Sequence, residues 1–142
     1  MRLVVLLALF LIFPSLYASP VFQEICVKNI CIQAEVADTQ NKLAEGLMFR
    51  KFLDHDKGML FILGEQGSHN FWMKNLNFPL DIIWINEKKE ITEIMKNVSP
   101  CGKSPCEAFT AKTRPAFVLE VSAGFAEENN LKAGDKVRFK LP

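Results

Sequence analysis

The chain has 142 residues, of which 17 are Lys or Arg and 16 are Asp or Glu, and 49% of the residues are hydrophobic. This length suits one domain built around one core. Because the charges nearly balance, the chain has no electrostatic reason to bind nucleic acid or anionic lipid, and we expect neither as a partner.

The first residues have the layout of a secretory signal peptide. Arg2 gives a basic start, residues 3–13 are apolar and uncharged, and the run ends before Ala18. Its length is below the roughly 20 residues that a bilayer span needs. We predict a signal peptide over 1–18 and one domain over 19–142, secreted or periplasmic. The alternative is an uncleaved anchor, in which case only this segment contacts the membrane.

Four cysteines lie in two local pairs, Cys26 with Cys31 and Cys101 with Cys106. A two-residue turn at 28–29 would set the first pair opposite each other on adjacent strands, close enough to bridge. In an exported chain the even count predicts structural disulfides. A four-thiolate zinc site is the alternative that the spacing leaves open. The Cys-x-x-Cys spacing of redox pairs is absent.

The remaining chain predicts short elements in order. Period-two alternation indicates a strand over 30–36. A short helix follows over 40–46, capped by Asp38 or Thr39, and Ser122 is placed to cap a second helix that reaches 126–129. Further strands are predicted at 59–63, 71–73, 80–85, 90–98, 116–121 and 136–141, with a hairpin turn at 86–89.

Six to eight strands and two short helices define a mainly β fold. We find no alternation of strands and helices that would indicate parallel βαβ units, and no internal repeat. The sequence therefore predicts an antiparallel β-sandwich or small barrel with helical insertions.

Large aromatics and polar groups are mixed in the segment 71–81. If residues 71–73 form a strand, Phe71 and Met73 share one face, and Trp72 and Lys74 share the other. A tryptophan on the open face can stack on a planar ligand such as a sugar. The alternative is that Trp72 belongs to a small second core under the loop at 64–69. Trp84 alternates with Ile82 and is interpreted as ordinary packing.

The ordered motifs of the chain resemble one family. They are Gly46-Leu47-Met48-x-Arg50, Gly58-Met59-Leu60-Phe61, Phe71-Trp72-Met73-Lys74-Asn75, Pro79-Leu80-Asp81-Ile82, Val118-Leu119-Glu120 and Gly134-Asp135-x-Val137. Together they resemble the domain-of-unknown-function family number 192. The resemblance implies a compact β-rich domain, often behind a signal peptide in bacteria, with no agreed biochemical function. Leu76-Asn77-Phe78 departs from the threonine and isoleucine that members often carry.

Six polar or aromatic residues are the candidates for binding a ligand. They are Arg50, Trp72, Lys74, Asn75, Asp81 and Glu120. The hypothesis is that these groups converge on the open face beside Trp72. The architectural alternatives are that Asp81 caps a turn or pairs with Arg50 or Lys74, and that Arg50 pairs with Glu120, because a charge removed from water needs a partner.

Our leading hypothesis is a monomeric, non-catalytic accessory domain that binds a small polar or carbohydrate-like ligand without cofactor or metal. A hydrolase that uses Asp81 and Glu120 as its carboxylate pair is the first alternative. A periplasmic Cu(I)-binding protein is the second, because Met48, Met59 and Met73 offer soft thioether ligands. No familiar nucleophile, metal or nucleotide motif occurs in the sequence.

Overall fold

The computed structural model describes residues 21–64 and 70–141. The predicted signal peptide at 1–18 and most of the loop at 64–69 lie outside the described residues. No helix within these two ranges is long and apolar enough to cross a membrane.

Nine strands and two short helices occupy the described ranges. The strands are β1 Phe22–Val27, β2 Ile30–Ala37, β3 Lys57–Ile62, β4 Phe71–Trp72, β5 Leu80–Ile85, β6 Ile91–Val98, β7 Ala108–Phe109, β8 Phe117–Ser122 and β9 Val137–Arg138. The helices are α1 Gln40–Glu45 and α2 Phe125–Glu128. Each predicted strand is confirmed to within three residues at its ends, and the predicted mainly β class is confirmed.

Seven strands form one sheet in the order β6-β5-β8-β3-β2-β1-β9. The sheet curls into half a barrel. The remaining strands, β4 and β7, pair as a separate two-stranded ribbon. Six of the seven strand pairs in the described residues are antiparallel, as predicted.

One pair departs from the prediction. β2 and β3 are parallel, with Val36 opposite Leu60, and α1 lies in the connection between them. A parallel pair needs a crossover connection of this kind. The sequence hid this βαβ unit because the helix has only six residues and the rest of the connection has no periodic pattern.

The cysteine pairs form two disulfides, Cys26 with Cys31 and Cys101 with Cys106. The first pair bridges the β1–β2 hairpin, in which Cys26 lies opposite Cys31 and Val27 opposite Ile30. Lys28 adopts a positive φ of 54° in the two-residue turn, as tight hairpins require. With all four sulfurs bonded in pairs, none remains as a thiolate for the alternative zinc site.

Each face of the large sheet covers its own apolar core. Ile83 and Ile85 of β5 point to the face that α2 covers. Ile82 and Trp84 point to the opposite face, which packs against the end of α1 and the β4–β7 ribbon. Every residue of β5 is buried. Trp84 is fully buried, which confirms its interpretation as packing.

The start of α2 corrects the predicted cap. Ser122 does not cap the helix, because its hydroxyl donates to the carbonyl oxygen of Leu53 at 2.8 Å. Gly124 occupies the N-terminal position in a left-handed conformation with φ 93°. The backbone N–H of Ala126 instead donates to Oδ2 of Asp81 at 2.8 Å. A carboxylate from β5 therefore satisfies an N–H that the helix leaves without a partner.

Candidate functional site

The alternation predicted around Trp72 is confirmed. Phe71 and Met73 are buried, whereas Trp72 keeps 46% of its surface exposed. Lys74 is also exposed, and its Nζ lies 5.8 Å from the centroid of the Trp72 ring. The indole therefore stands at the surface with a cation near its ring, as a cation–π contact requires.

Trp72 lines a cavity of about 60 Å³, which we call the Trp72 cavity. Water occupies roughly 10–15 Å³ on this measure, so the space suits about four waters or one small polar group. Its described lining comes from α1 and the residues after it, from the strands β3, β4 and β8, and from the turn after β4. These residues are Leu43, Ala44, Glu45, Gly46, Leu47, Met48, Phe61, Leu63, Asn70, Phe71, Trp72, Leu76 and Glu120.

Glu120 is the buried polar group of this cavity. It lies on β8 between Met59 of β3 and Ile82 of β5, and only 4% of it is exposed. No residue within 21–64 or 70–141 donates a hydrogen bond to its carboxyl group or pairs with it. Burial without a partner raises the pKa of Glu120 to about 8. At neutral pH the group is therefore mainly a neutral acid that can both donate and accept a hydrogen bond.

Both ionisable residues of the described cavity lining are acidic. Glu45, at the end of α1, is the second ionisable residue in the described lining. That lining contains no Lys, Arg or His. Most of the other walls are aromatic or aliphatic, so a charge placed inside is poorly screened by water.

Asp81 lies on the other face of the sheet from Glu120. In the β5–β8 ladder Asp81 is opposite Val121, and Glu120 is opposite Ile82. Directly opposed residues share a face and successive residues alternate, so the two carboxylates point away from each other. The carboxylate pair that the hydrolase hypothesis needs does not share a cleft.

Both carboxylate oxygens of Asp81 accept hydrogen bonds from backbone N–H groups. Oδ1 accepts the N–H of Asn97 at 2.8 Å, where the β5–β6 ladder shifts its register. Oδ2 accepts the N–H of Ala126. The predicted Lys74–Asp81 ion pair is wrong, because Asp81 is fully buried while Lys74 stays at the surface beside Trp72.

Arg50 pairs with Glu35, and the predicted Arg50–Glu120 pair is wrong. The two terminal guanidinium nitrogens, Nη1 and Nη2, donate to Oε1 and Oε2 of Glu35. The hydrogen bonds from Arg50 lower the pKa of Glu35 below its ordinary value, and the same bonds raise the pKa of Arg50. Arg50 lines a second cavity of about 180 Å³ together with Val21, Glu35, Val36, Lys42, Glu45, Gly46 and Met59.

Asn75 fastens a turn rather than lining either cavity. It has a positive φ of 57°, and its carbonyl oxygen accepts the N–H of Phe49 at 2.8 Å. Its Nδ2 lies 3.9 Å from the sulfur of Met48. Nearby, Nδ2 of Asn77 donates to the carbonyl oxygen of Arg50 at 2.7 Å. These contacts hold the turn after β4 against the connection after α1.

Of the six candidates, the structure brings Trp72 and Glu120 to one cavity. Arg50 lines the second cavity, Lys74 lies near the Trp72 ring, and Asn75 and Asp81 bond to backbone groups. Sequence reasoning missed Glu45 and Asn70 in the lining. Glu45 directly precedes the Gly46-Leu47-Met48 motif, and that position was the available signal.

The three methionines of the copper hypothesis lie in three different places in the structure. Met48 lines the Trp72 cavity, Met59 lines the second cavity, and Met73 is buried in the core. A copper site would need these sulfurs to face one space, and the cavities give no support for that.

These features define a small β half-barrel domain with one aromatic and acidic cavity beside α1. The chain belongs to the DUF192 family, described as "Uncharacterized ACR", whose profile matches residues 24–139. This match confirms the resemblance read from the motifs.

Two solved structures share the fold. One is a "putative transcription regulator" from Sinorhizobium meliloti 1021, with 27% identity, a TM-score of 0.78, and coverage of 85% of this chain and 95% of that one. The other is a protein of unknown function from Novosphingobium aromaticivorans DSM 12444, with 29% identity, a TM-score of 0.75, and coverage of 86% and 94%. No curated protein matches the chain.

Proposed function

We propose that this protein is an exported, non-catalytic binding domain that holds a small polar, carbohydrate-like ligand at the Trp72 cavity. The observation that carries the proposal is Glu120, a buried carboxyl group that lines the cavity without a partner in the described part of the chain. A buried polar group without a hydrogen bond costs free energy. A ligand that supplies the missing bond recovers that cost on binding.

Trp72 supplies the second element of the proposed site. Its half-exposed ring stands at the edge of the cavity, where a sugar ring can stack while one substituent enters the cavity. Apolar surface for contact combined with a few placed polar groups is the usual composition of a small-molecule site. The small volume limits the inserted part to a few atoms.

A binding role is favoured over hydrolysis by the positions of the carboxylates. Glycoside hydrolysis in its common forms uses two carboxyl groups that flank one bond. Asp81 is turned to the opposite face and both its oxygens are occupied. Glu120 therefore acts in our proposal as a recognition group.

Export is supported by the disulfides. Both cysteine pairs are bonded, and such bonds form and persist in oxidising compartments. The leader-like residues 1–18 agree with this location. A nucleic-acid ligand, which the name of the Sinorhizobium relative would suggest, fits poorly because the described lining of the cavity offers a phosphate group no Lys, Arg or His.

The test is a thermal-shift screen of sugars and cell-wall fragments against the protein exported with its own leader and purified. The mass of the purified chain reports where the leader is cut. We expect one ligand class to raise the melting temperature, and Trp72→Ala to remove that rise. Phe52→Ala is the matched control, because Phe52 is 69% exposed and lines neither cavity.

The proposal fails if no compound in the screen shifts the melting temperature. It also fails if Trp72→Ala and Phe52→Ala respond to every compound as the unmodified protein does.

A further inference from the structure

The ionisable residues that line the Trp72 cavity indicate which chemical class of ligand it binds. Its described lining holds two acidic residues, Glu45 and Glu120, and no basic residue. The two basic residues of the family motifs nearby are outside this lining. Arg50 is bonded to Glu35 and lines the second cavity, and Lys74 lies over the ring of Trp72. Within residues 21–64 and 70–141, therefore, the carboxyl group of Glu120 has no cationic side chain beside it in the cavity lining.

The aromatic surroundings favour a cation as well. Trp72, Phe71 and Phe61 all line the cavity. Aromatic faces attract ammonium groups, and the attraction grows when water is excluded.

We infer that the ligand of the Trp72 cavity carries a protonated primary amine, which enters the cavity and forms a charge-assisted hydrogen bond with Glu120. This inference rests on the proposed binding role of the same cavity and names the class of ligand, such as an amino sugar. The ammonium supplies the donor and the charge that Glu120 lacks. A neutral hydroxyl in the same place supplies only the hydrogen bond.

Binding of a cation changes the protonation of Glu120. Glu120 is largely protonated at pH 7 when the cavity is empty, because burial raises its pKa to about 8. Glu45 of α1 lies in the same lining, but its charge acts on Arg50, whose pKa it helps to raise, and burial alone raises the pKa of Glu120. The neighbours of Glu120 on β3 and β5 are the uncharged Met59 and Ile82. An ammonium that pairs with the ionised form therefore releases on the order of one proton at pH 7.

The experiment compares matched amines and alcohols on the full exported protein by calorimetry at pH 7. The pairs are glucosamine with glucose, and benzylamine with benzyl alcohol. We expect each amine to bind about tenfold or more tightly than its hydroxyl partner, as a charge-assisted bond is stronger than a neutral one. Repeating the titration in two buffers of different ionisation enthalpy measures the released proton.

Two variants locate the effect. Glu120→Gln keeps the shape and removes the charge, so it should reduce the preference for amine over alcohol to less than about twofold and abolish proton release. Glu45→Gln should reduce the preference less, because Glu45 is exposed. Circular dichroism of both variants checks that the fold is retained.

The outcomes separate the two proposals. Equal affinity for an amine and its alcohol, with both lost in Trp72→Ala, overturns the amine inference and leaves the binding role standing. Binding of benzylamine but of neither sugar supports the amine inference and overturns the carbohydrate-like class. Absence of binding by all four probes overturns the amine inference, and the broader ligand screen then decides the binding role alone.

Discussion

Gly58 lies against the backbone of Glu120. A Cβ placed on Gly58 would come within 2.7 Å of the Glu120 carbonyl oxygen and within 3.2 Å of side-chain carbons of Ile32 and Val121. The two residues sit on paired strands, with Gly58 opposite Val121 and Met59 opposite Glu120. The glycine of the Gly58-Met59-Leu60-Phe61 motif therefore permits the close approach of β3 to the strand that carries the buried carboxyl group.

Gly58→Ala should destabilise the fold by about 1–3 kcal/mol, the usual cost of overpacking. The obstructing atom belongs to the backbone of a central strand and cannot rotate away. Urea unfolding followed by tryptophan fluorescence measures the effect. Gly102→Ala is the control, because nothing lies within 4 Å of a Cβ at that position. Equal stability of the two variants would contradict the explanation.

Glu120 should make the stability of the domain fall with rising pH. Below its ordinary pKa of 4.5 both the folded and the unfolded states are protonated, and the group has no effect. Between 4.5 and about 8 the unfolded state loses the proton while the folded state keeps it. Each pH unit in this window lowers the free energy of unfolding by about 1.4 kcal/mol.

Glu120→Gln removes this dependence. We expect it to match the unmodified protein near pH 4 and to exceed its stability by on the order of 3 kcal/mol at pH 7. The difference between the two unfolding curves across pH 4–8 isolates Glu120 from the other titrating groups. A difference that stays constant with pH would show that Glu120 ionises normally in the folded state.

Asp81→Ala should be strongly destabilising. It leaves the N–H groups of Asn97 and Ala126 without their acceptors, and each buried group without a partner costs about 1–3 kcal/mol. We therefore expect a loss of about 2–6 kcal/mol in chemical unfolding. Asp81→Asn should cost less, because the amide keeps one of the two acceptors. Asp54→Ala, at an exposed position, should change stability little.

The Arg50–Glu35 pair should show a coupling free energy of about 1 kcal/mol in a double-mutant cycle with alanine. The two-pronged geometry favours a value at the upper end for a half-exposed pair. Since Arg50 lowers the pKa of Glu35, the coupling should be complete well above pH 4.5 and disappear as the pH falls below it. Arg50→Lys should recover only part of it, because an ammonium cannot make both bonds in parallel.

Removal of the disulfide between Cys101 and Cys106 by replacement of both with Ser should cost about 2 kcal/mol. The cysteines are five residues apart, and a short loop restricts the unfolded chain only modestly. Thermal unfolding with and without reductant measures the cost. The variant should be insensitive to the reduction of this bond, and retention of the full reductant response would contradict the assignment.

Patterns of residues close together in the sequence were sufficient to predict much of the fold. Alternation along β2 and β5, the turn at 28–29 and the cysteine spacing each depend on residues close in sequence, so the strands, the first hairpin and the disulfides were predictable. The ordered motifs were sufficient for the family. The alternation of Phe71, Trp72 and Met73 also placed the indole at the surface correctly.

Only the tertiary structure decided which side chains from distant segments of the chain contact each other. Arg50 meets Glu35 because the short crossover through α1 makes β2 and β3 parallel, which no periodic pattern revealed. Asp81 and Glu120 look equivalent in the sequence, as single carboxylates within apolar strands. The register of β5 against β8 places them on opposite faces of the sheet. On one face Asp81 accepts hydrogen bonds from two backbone N–H groups, and on the other Glu120 lines a cavity. A shift of one residue in that register would exchange the faces, and strand pairing across some 40 residues of chain is set by the packing of both cores together.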